Sequence, residues 1–455
     1  MCDTSVVVGS ATVDGSVIFA KNSDRPANEC QPLRYYPRQS YPAKSQVRCT
    51  HREIPQAGET LAVLGSQPWW MWGFEIGVNE LGVAIGNEAV YGREGYADDG
   101  LLGMDLIRLG LERGRTAHAA LHVIVDLLEE FGQGGSADVA MPRSYHNSYI
   151  IADPTEAWVL ETAGRYWAAE KVKGRRAISN CFTIGTDWDE VSADLIDHAV
   201  ARGWWKLGAD FDFARAYGNP DRDISSGQCR FARASEVLHG QPRLGVPDMI
   251  QVLRDHAGRR TNPLGESLPT PICMHEAPPN VGATAASMVV QLRPGPANPL
   301  TALVWHSFGS PCLSGFHPSH VAADPSVGEL ARGAGSFDPA SPWWRNERIQ
   351  RRVDTHPGLR SLVQASWRDY ELRAFAAVAA AEQRAQTTES PAAELRRIDE
   401  KLTTELLAKI GELDELTATR SESCERPSTD DLAHWAKLNE PVGLAWVEAQ
   451  PVGIR

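Results

Sequence analysis

The 455-residue sequence is short of positive charge, of paired cysteines and of long apolar runs, and each shortage removes a class of function. Lysine and arginine number 45 against 58 aspartates and glutamates, a formal net charge of −13. A nucleic-acid partner needs a basic face for its phosphates, so none is expected. The same deficit leaves no polybasic segment for a membrane surface. No run of about 18 apolar residues is present to span a bilayer. The opening MCDTSVVVGSATVDGS lacks the basic and apolar segments of an export signal. Cysteines 2, 30, 49, 181, 229, 273, 312 and 424 form no CxxC pair and are read as reduced thiols of a cytoplasmic protein. Cys273, His275, Cys312, His317 and His320 fit no standard zinc spacing, so no metal and no cofactor is expected.

What remains is 42% hydrophobic, ample for a large core. Thr4–Val8, the turn signal Asp14-Gly15 and apolar Val17–Lys21 predict a β-hairpin. Both arms are almost continuously apolar, so their sheet should be covered on both faces. Gly82–Gly86 predicts another buried strand. Helices are predicted over Leu101–Arg113, closed by Gly114, and from an N-cap at Thr116 through Phe131. Strands follow at Ser148–Ile151, Ala157–Glu161, Tyr166–Lys171 and Ala177–Ser179. Helices return near Cys229–Leu238 and Val246–His256, then strands at Ser287–Leu292 and Ala302–Trp305. This order suggests a layered α/β or α+β architecture rather than a regular βαβ repeat. Residues 313–345, rich in Gly, Pro, Ser and Ala, read as a long surface connection. In the helical hairpin Asp369–Gln386 and Ala392–Leu413, Ile398, Leu402, Leu406 and Ile410 recur at four-residue steps. Such a stripe serves core packing or a homo-oligomer contact. The expected division is one domain over 1–340 and a mostly helical extension over 341–455.

The chemistry centres on Cys2. Trimming of Met1 would give one residue both a thiol and a free α-amine. Their reference pKa values, ~8.5 and ~7.7–8.0, lie within about a unit, so the amine can take the thiol proton and later pass it to a leaving nitrogen. A cysteine at this position is by itself more often incidental. Pairing about Asp14-Gly15, however, brings Lys21-Asn22-Ser23-Asp24 beside it. There a lysine stabilises a thiolate and an aspartate orients an ammonium, whereas in isolation the two would read as a surface ion pair. In the aromatic run 68–72, Trp72 is a candidate wall for an apolar substrate, with core packing as the competing reading. Glu75, Glu88 and Glu161 are candidates for holding a substrate amine, Glu88 foremost because it follows Asn87.

The segments CDTSVVVG, AKNSDRP, NELGVAIGNEAV, AWVLETAGRYWAAEKV, AISNCFTI and the SxxxCRFAR run around Arg230 resemble the secernin and C69 dipeptidase family. That family lies within the N-terminal-nucleophile (Ntn) hydrolases, alongside penicillin V acylase and bile-salt hydrolase. LLGMDLIRLGLERG, HVIVDLLEEFGQGG and Gly203-Trp204-Trp205 are similar to secernins in particular. The resemblance runs from Cys2 to about residue 320, and more loosely beyond. It implies an α+β fold, a four-layer αββα sandwich of mainly antiparallel sheets, carrying the helical extension. It implies Cys2 as nucleophile, Asp24 positioning its amine, Asn87 and Asn180 at the oxyanion positions and Arg230 bracing the site. Lys21 stands where the acylases carry an arginine, keeping the charge but not the bidentate fork. The implied reaction is hydrolysis of a small peptide or amide through a Cys2 thioester, without a cofactor. A dipeptidase is the first expectation. The alternatives are an acylase of non-peptide linear amides and a secernin-like interaction protein with little turnover. The intact set of Cys2, Asp24, Asn87, Asn180 and Arg230 favours an enzyme.

Overall fold

The structure is a computed structural model describing residues 1–256, 259–261, 267–269, 271–276, 282–295, 298–421 and 429–444. Its framework is two antiparallel sheets, an α+β arrangement with a helical C-terminal region. The hairpin forms as the sequence predicts. Cys2–Val7 pairs with Val17–Arg25 so that Cys2 faces Ser23 and Thr4 faces Lys21, and Gly15 takes φ 78° in the turn. Cys2–Val7 is flanked on its other side by Arg175–Ile178. Val17–Arg25 pairs in turn with Ala283–Leu292, followed by Ala302–Phe308 and His317–His320, giving a six-stranded sheet. The second sheet has eight strands, with Ala84–Val90, His146–Ala152 and Ala157–Ala163 near its centre.

Period-2 alternation explains why these strands read as continuous apolar runs. In His146–Ala152, Ile150 and Ala152 join the core shared with the six-stranded sheet. Tyr149 and Ile151 join a separate core formed with the helices Gly103–Arg113 and Ala117–Phe131. Both faces are buried, so neither needs polar residues. Thr116 caps the second helix by accepting from the Ala119 N–H at 3.1 Å. The sheets approach closely where Val17–Arg25 crosses Ala84–Val90. A Cβ on Gly86 would lie 2.7 Å from Lys21 Cδ, so glycine there leaves the gap through which Lys21 extends.

One expectation fails. Residues 313–345 are not a surface connection: Phe316, His317, Val321 and Trp344 are buried, His317–His320 is a strand, and Pro342–Thr355 is a helix. The strand is short and the helix opens on Pro-Trp-Trp, so neither leaves the periodic signature of a longer element. The helices Arg360–Ala385 and Pro391–Ser421 follow. The stripe Ile398, Leu402, Leu406 and Ile410 is buried in this chain's own core, against Pro342–Thr355, Arg360–Ala385 and His317–His320, which settles its role as intrachain packing. Among the described residues no helix is long and apolar enough to cross a membrane. Seven cysteines are free thiols; Cys424 lies outside the described residues.

Candidate active site

The N-terminal strand delivers Cys2 to a cavity of about 630 Å³. Cys2, Asp24, Asn87, Asn180 and Arg230, which the sequence scatters over more than two hundred positions, all line it. Hairpin register puts Asp24 against Cys2: the Asp24 N–H points to Cys2 Sγ at 3.4 Å, and Sγ lies 3.9 Å from the Asp24 carbonyl. The Asp24 Oδ1 accepts from Thr284 Oγ1 at 2.7 Å, while Oδ2 is buried with no hydrogen-bond partner. Burial raises this carboxyl to about 6, with the N-terminal ammonium pulling against it.

Asn180 follows the strand Arg175–Ile178, and its Oδ1 accepts from the Cys2 backbone N–H at 2.9 Å and from Arg230 at 2.6 Å. Its Nδ2 donates to the Ala89 carbonyl at 2.8 Å, leaving the second amide proton uncommitted among the described residues. Arg230, on the helix Ser225–His239, also donates to the Cys2 carbonyl at 2.9 Å and pairs with Asp3 at 2.5 Å. Gly227 lets that helix approach, because a Cβ there would lie 2.6 Å from the Asn180 carbonyl oxygen.

Lys21 is fully buried and does not touch Cys2. Its ammonium donates to the Glu75 carbonyl at 2.8 Å, the Glu75 carboxylate at 3.2 Å and Asn87 Oδ1 at 3.1 Å. Both amide protons of Asn87 are engaged, by Asn147 Oδ1 at 2.8 Å and Met104 Sδ at 3.4 Å. Against the cost of burial, Lys21 and Arg25 hold the Glu75 carboxyl below its ordinary value. Burial pushes the Cys2 thiol up to about 12, opposed chiefly by the Lys21 charge.

Three candidates stand apart, the first being Glu161, whose carboxylate accepts from the Thr183 and Ile184 N–H groups and does not line the cavity. Glu88 does not line the cavity; its carboxyl accepts from Thr4 between the sheets, and burial raises it well above the carboxylate range. Trp72 is also absent from the lining and stacks under the Arg108 guanidinium at 4.1 Å. Glu75 lines the cavity instead, together with Arg25, Tyr91, Arg143, Tyr145, Arg222 and Asp223. Arg143, Arg222 and Asp223 sit in loops with no periodic signal, which is why sequence reasoning missed them.

A thiol at the floor of a cleft that carries amide, cationic and anionic groups is the equipment of a cysteine hydrolase. The sequence model of peptidase family C69 matches residues 1–231, and the chain belongs to that family. It is 21% identical over 398 residues to the probable dipeptidase B of Lactococcus lactis, covering 75% of this chain and 79% of the relative. It is 27% identical over 214 residues to a dipeptidase of Bifidobacterium longum, covering 41% and 38%. Among solved structures, the conjugated bile acid hydrolase of Clostridium perfringens is similar at 13% identity and TM-score 0.41, over 72% of this chain and 94% of that one. An N-acylethanolamine-hydrolyzing acid amidase orthologue of Caenorhabditis elegans is similar at 15% identity and TM-score 0.33, over 66% and 95%.

Proposed function

We propose that this chain is a dipeptidase whose nucleophile is Cys2 once Met1 has been removed, built on an αββα Ntn-hydrolase sandwich. The observation that carries it is that Cys2 and Asp24, whose Oδ2 has no hydrogen-bond partner, line one cavity with the Asp24 backbone against the Cys2 thiol. Met1 lines the same cavity, and its ammonium lies 3.2 Å from the Asp24 carbonyl. Met1 therefore fills space that a substrate needs, and its amide bond blocks the amine that would act as base.

After trimming, the Cys2 α-amine takes the thiol proton and the sulfur attacks the scissile carbonyl. The free proton of Asn180 Nδ2 is available to the resulting oxyanion. Asn87, with both protons engaged, anchors Lys21, whose charge favours the thiolate. The amine then protonates the leaving nitrogen, and water activated by the same amine releases the acid from the thioester. Asp24 holds the ammonium form, and Arg230 fixes Asn180 and the Cys2 carbonyl. A dipeptide presents an ammonium and a carboxylate close together, and the cavity walls carry both signs, Glu75 and Asp223 with Arg143 and Arg222. Residues 1–340 form the catalytic unit, and 341–455 an extension whose described residues share its core.

The test is a protein with a cleavable tag before Cys2, assayed on dipeptides and on N-acyl amines before and after release of Cys2. Dipeptide hydrolysis should appear only after release. Full activity with the tag attached overturns the mechanism, and turnover of N-acyl amines alone reassigns the substrate.

A further inference from the structure

Outside the cavity lining, a pair of cysteines meets a pair of histidines. His256 follows the helix Val246–Leu253, Cys273 and His275 belong to the segment 271–276, and Cys312 sits on the short turn Pro311–Leu313. Their ligating atoms all lie within 4.8 Å of one another. His275 Nε2 is 3.1 Å from His256 Nε2, 3.2 Å from Cys312 Sγ and 3.7 Å from Cys273 Sγ. A ring nitrogen carries at most one proton, so it cannot satisfy three such neighbours by hydrogen bonding. A shared cation can. Zinc bond lengths put tetrahedral edges at about 3.3 Å between two nitrogens and about 3.8 Å between two sulfurs, with mixed edges between them. The three spacings from His275 Nε2 lie within about 0.4 Å of those edges.

We propose that His256, Cys273, His275 and Cys312 form a structural zinc site. Two thiolates and two imidazoles favour zinc, and four protein ligands close its coordination, so the ion holds structure and does no chemistry. Binding releases the two thiol protons and leaves a neutral centre. The surroundings fit. Asp354 Oδ1 lies 3.4 Å from His275 Nδ1, where an acidic partner would orient the ring, and Arg360 approaches Cys312 Sγ at 3.8 Å. Spacing alone hides the site, because its ligands come from three separate segments. His317 and His320 take no part: His317 meets Tyr370 and Thr403, and His320 meets Asp399 and Glu382.

The site fastens the segment behind Asp24. Between its two ligands, Met274 receives the Thr284 N–H and donates to Thr284 Oγ1 at 3.0 Å, and that hydroxyl donates to Asp24. Metal binding itself does not depend on the catalytic reading of Asp24.

Metal analysis of the full chain, purified without chelator, should find about one zinc per chain. After stripping, cobalt(II) should give tetrahedral visible bands with a thiolate charge-transfer band. The surface trio His118, His122 and Glu190 has no sulfur and cannot produce the latter. Cys312→Ser should cut the intensity of that band roughly in half, because Cys273 still supplies one thiolate. His256→Ala, at an exposed ligand and so a mild threat to folding, should weaken binding at least ~10-fold. Absence of the charge-transfer band at saturating cobalt, a Cys273–Cys312 disulfide in the freshly purified protein, or unaltered affinity in His256→Ala would each overturn the proposal.

Discussion

Replacing Asp24 by asparagine separates a positioning role from a structural one. Burial lifts the carboxyl from its ordinary 3.8 to about 6. A difference of about two units is roughly 3 kcal/mol. Because the folded-state value exceeds the unfolded one, this carboxyl's contribution to stability is greatest below pH 3.8, is lost as the pH rises from there through about 6, and stays at the lower level above it. Asparagine keeps an acceptor for Thr284 and abolishes this titration. Its amide nitrogen would stand where Oδ2 has no partner, at a cost of about 1–3 kcal/mol. At pH 7 Asp24→Asn should therefore lie between unchanged and about 2 kcal/mol more stable than the parent. Its stability should lack this carboxyl's share of the loss between pH 4 and 6. The Cys2 ammonium of the trimmed enzyme offsets part of the penalty, so the gain is an upper bound. Turnover should drop by about 10²–10⁴, the usual contribution of a positioned proton-transfer group. In the trimmed parent, activity should decline as the pH falls below about 6, as Asp24 takes up a proton. Denaturant titrations across pH, paired with dipeptide assays at pH 7, give both readouts. Destabilisation by more than about 1 kcal/mol, with turnover falling only in step with the folded fraction, would refute the reasoning.

Asn180→Ala should cut hydrolysis by about 10²–10³ while the trimmed Cys2 still reacts with small alkylating agents; equal loss of both reactions would give Asn180 a purely structural role. Gly86→Ala should destabilise the chain by about 1–3 kcal/mol in chemical denaturation, because its Cβ would meet Lys21 Cδ at 2.7 Å; an unchanged midpoint would show that Lys21 has room to move.

The candidate site's N-terminal hairpin was legible because a hairpin is local. Asp14-Gly15 fixes the turn, the turn fixes the register, and register alone brings Asp24 to Cys2. Thr116 and Phe131 marked a whole helix for a similar reason, since an N-cap and a helical face are short-range signals. Function of single side chains was less legible. Glu88 and Glu75 are both buried acids near Asn87, and only the packing of one sheet on the other sends the first to Thr4 and the second into the cavity. Lys21 was expected against Cys2 and is instead tied to Glu75 and Asn87, through space that Gly86 leaves open. The strand His317–His320 escaped because Pro318 and flanking small residues mask a four-residue element that tertiary contacts stabilise.

The strand that begins at Cys2 lies inside its sheet, with a partner on each side, and one partner is Arg175–Ile178. A chain terminus is usually the first part of a protein to fray, but this one is stitched in by pairing across about 170 residues. During synthesis at about 5–20 residues per second, roughly 10–40 seconds pass before Ile178 exists to close that side. For that interval Met1 is open to an aminopeptidase; afterwards it is 40% exposed and hydrogen-bonded at the cavity mouth. On the proposed mechanism, release of Cys2 would be a race between trimming and sheet closure. Adding aminopeptidase to denatured Met1-bearing chains before or after refolding should give a high yield of free Cys2 in the first order of addition and a low yield in the second.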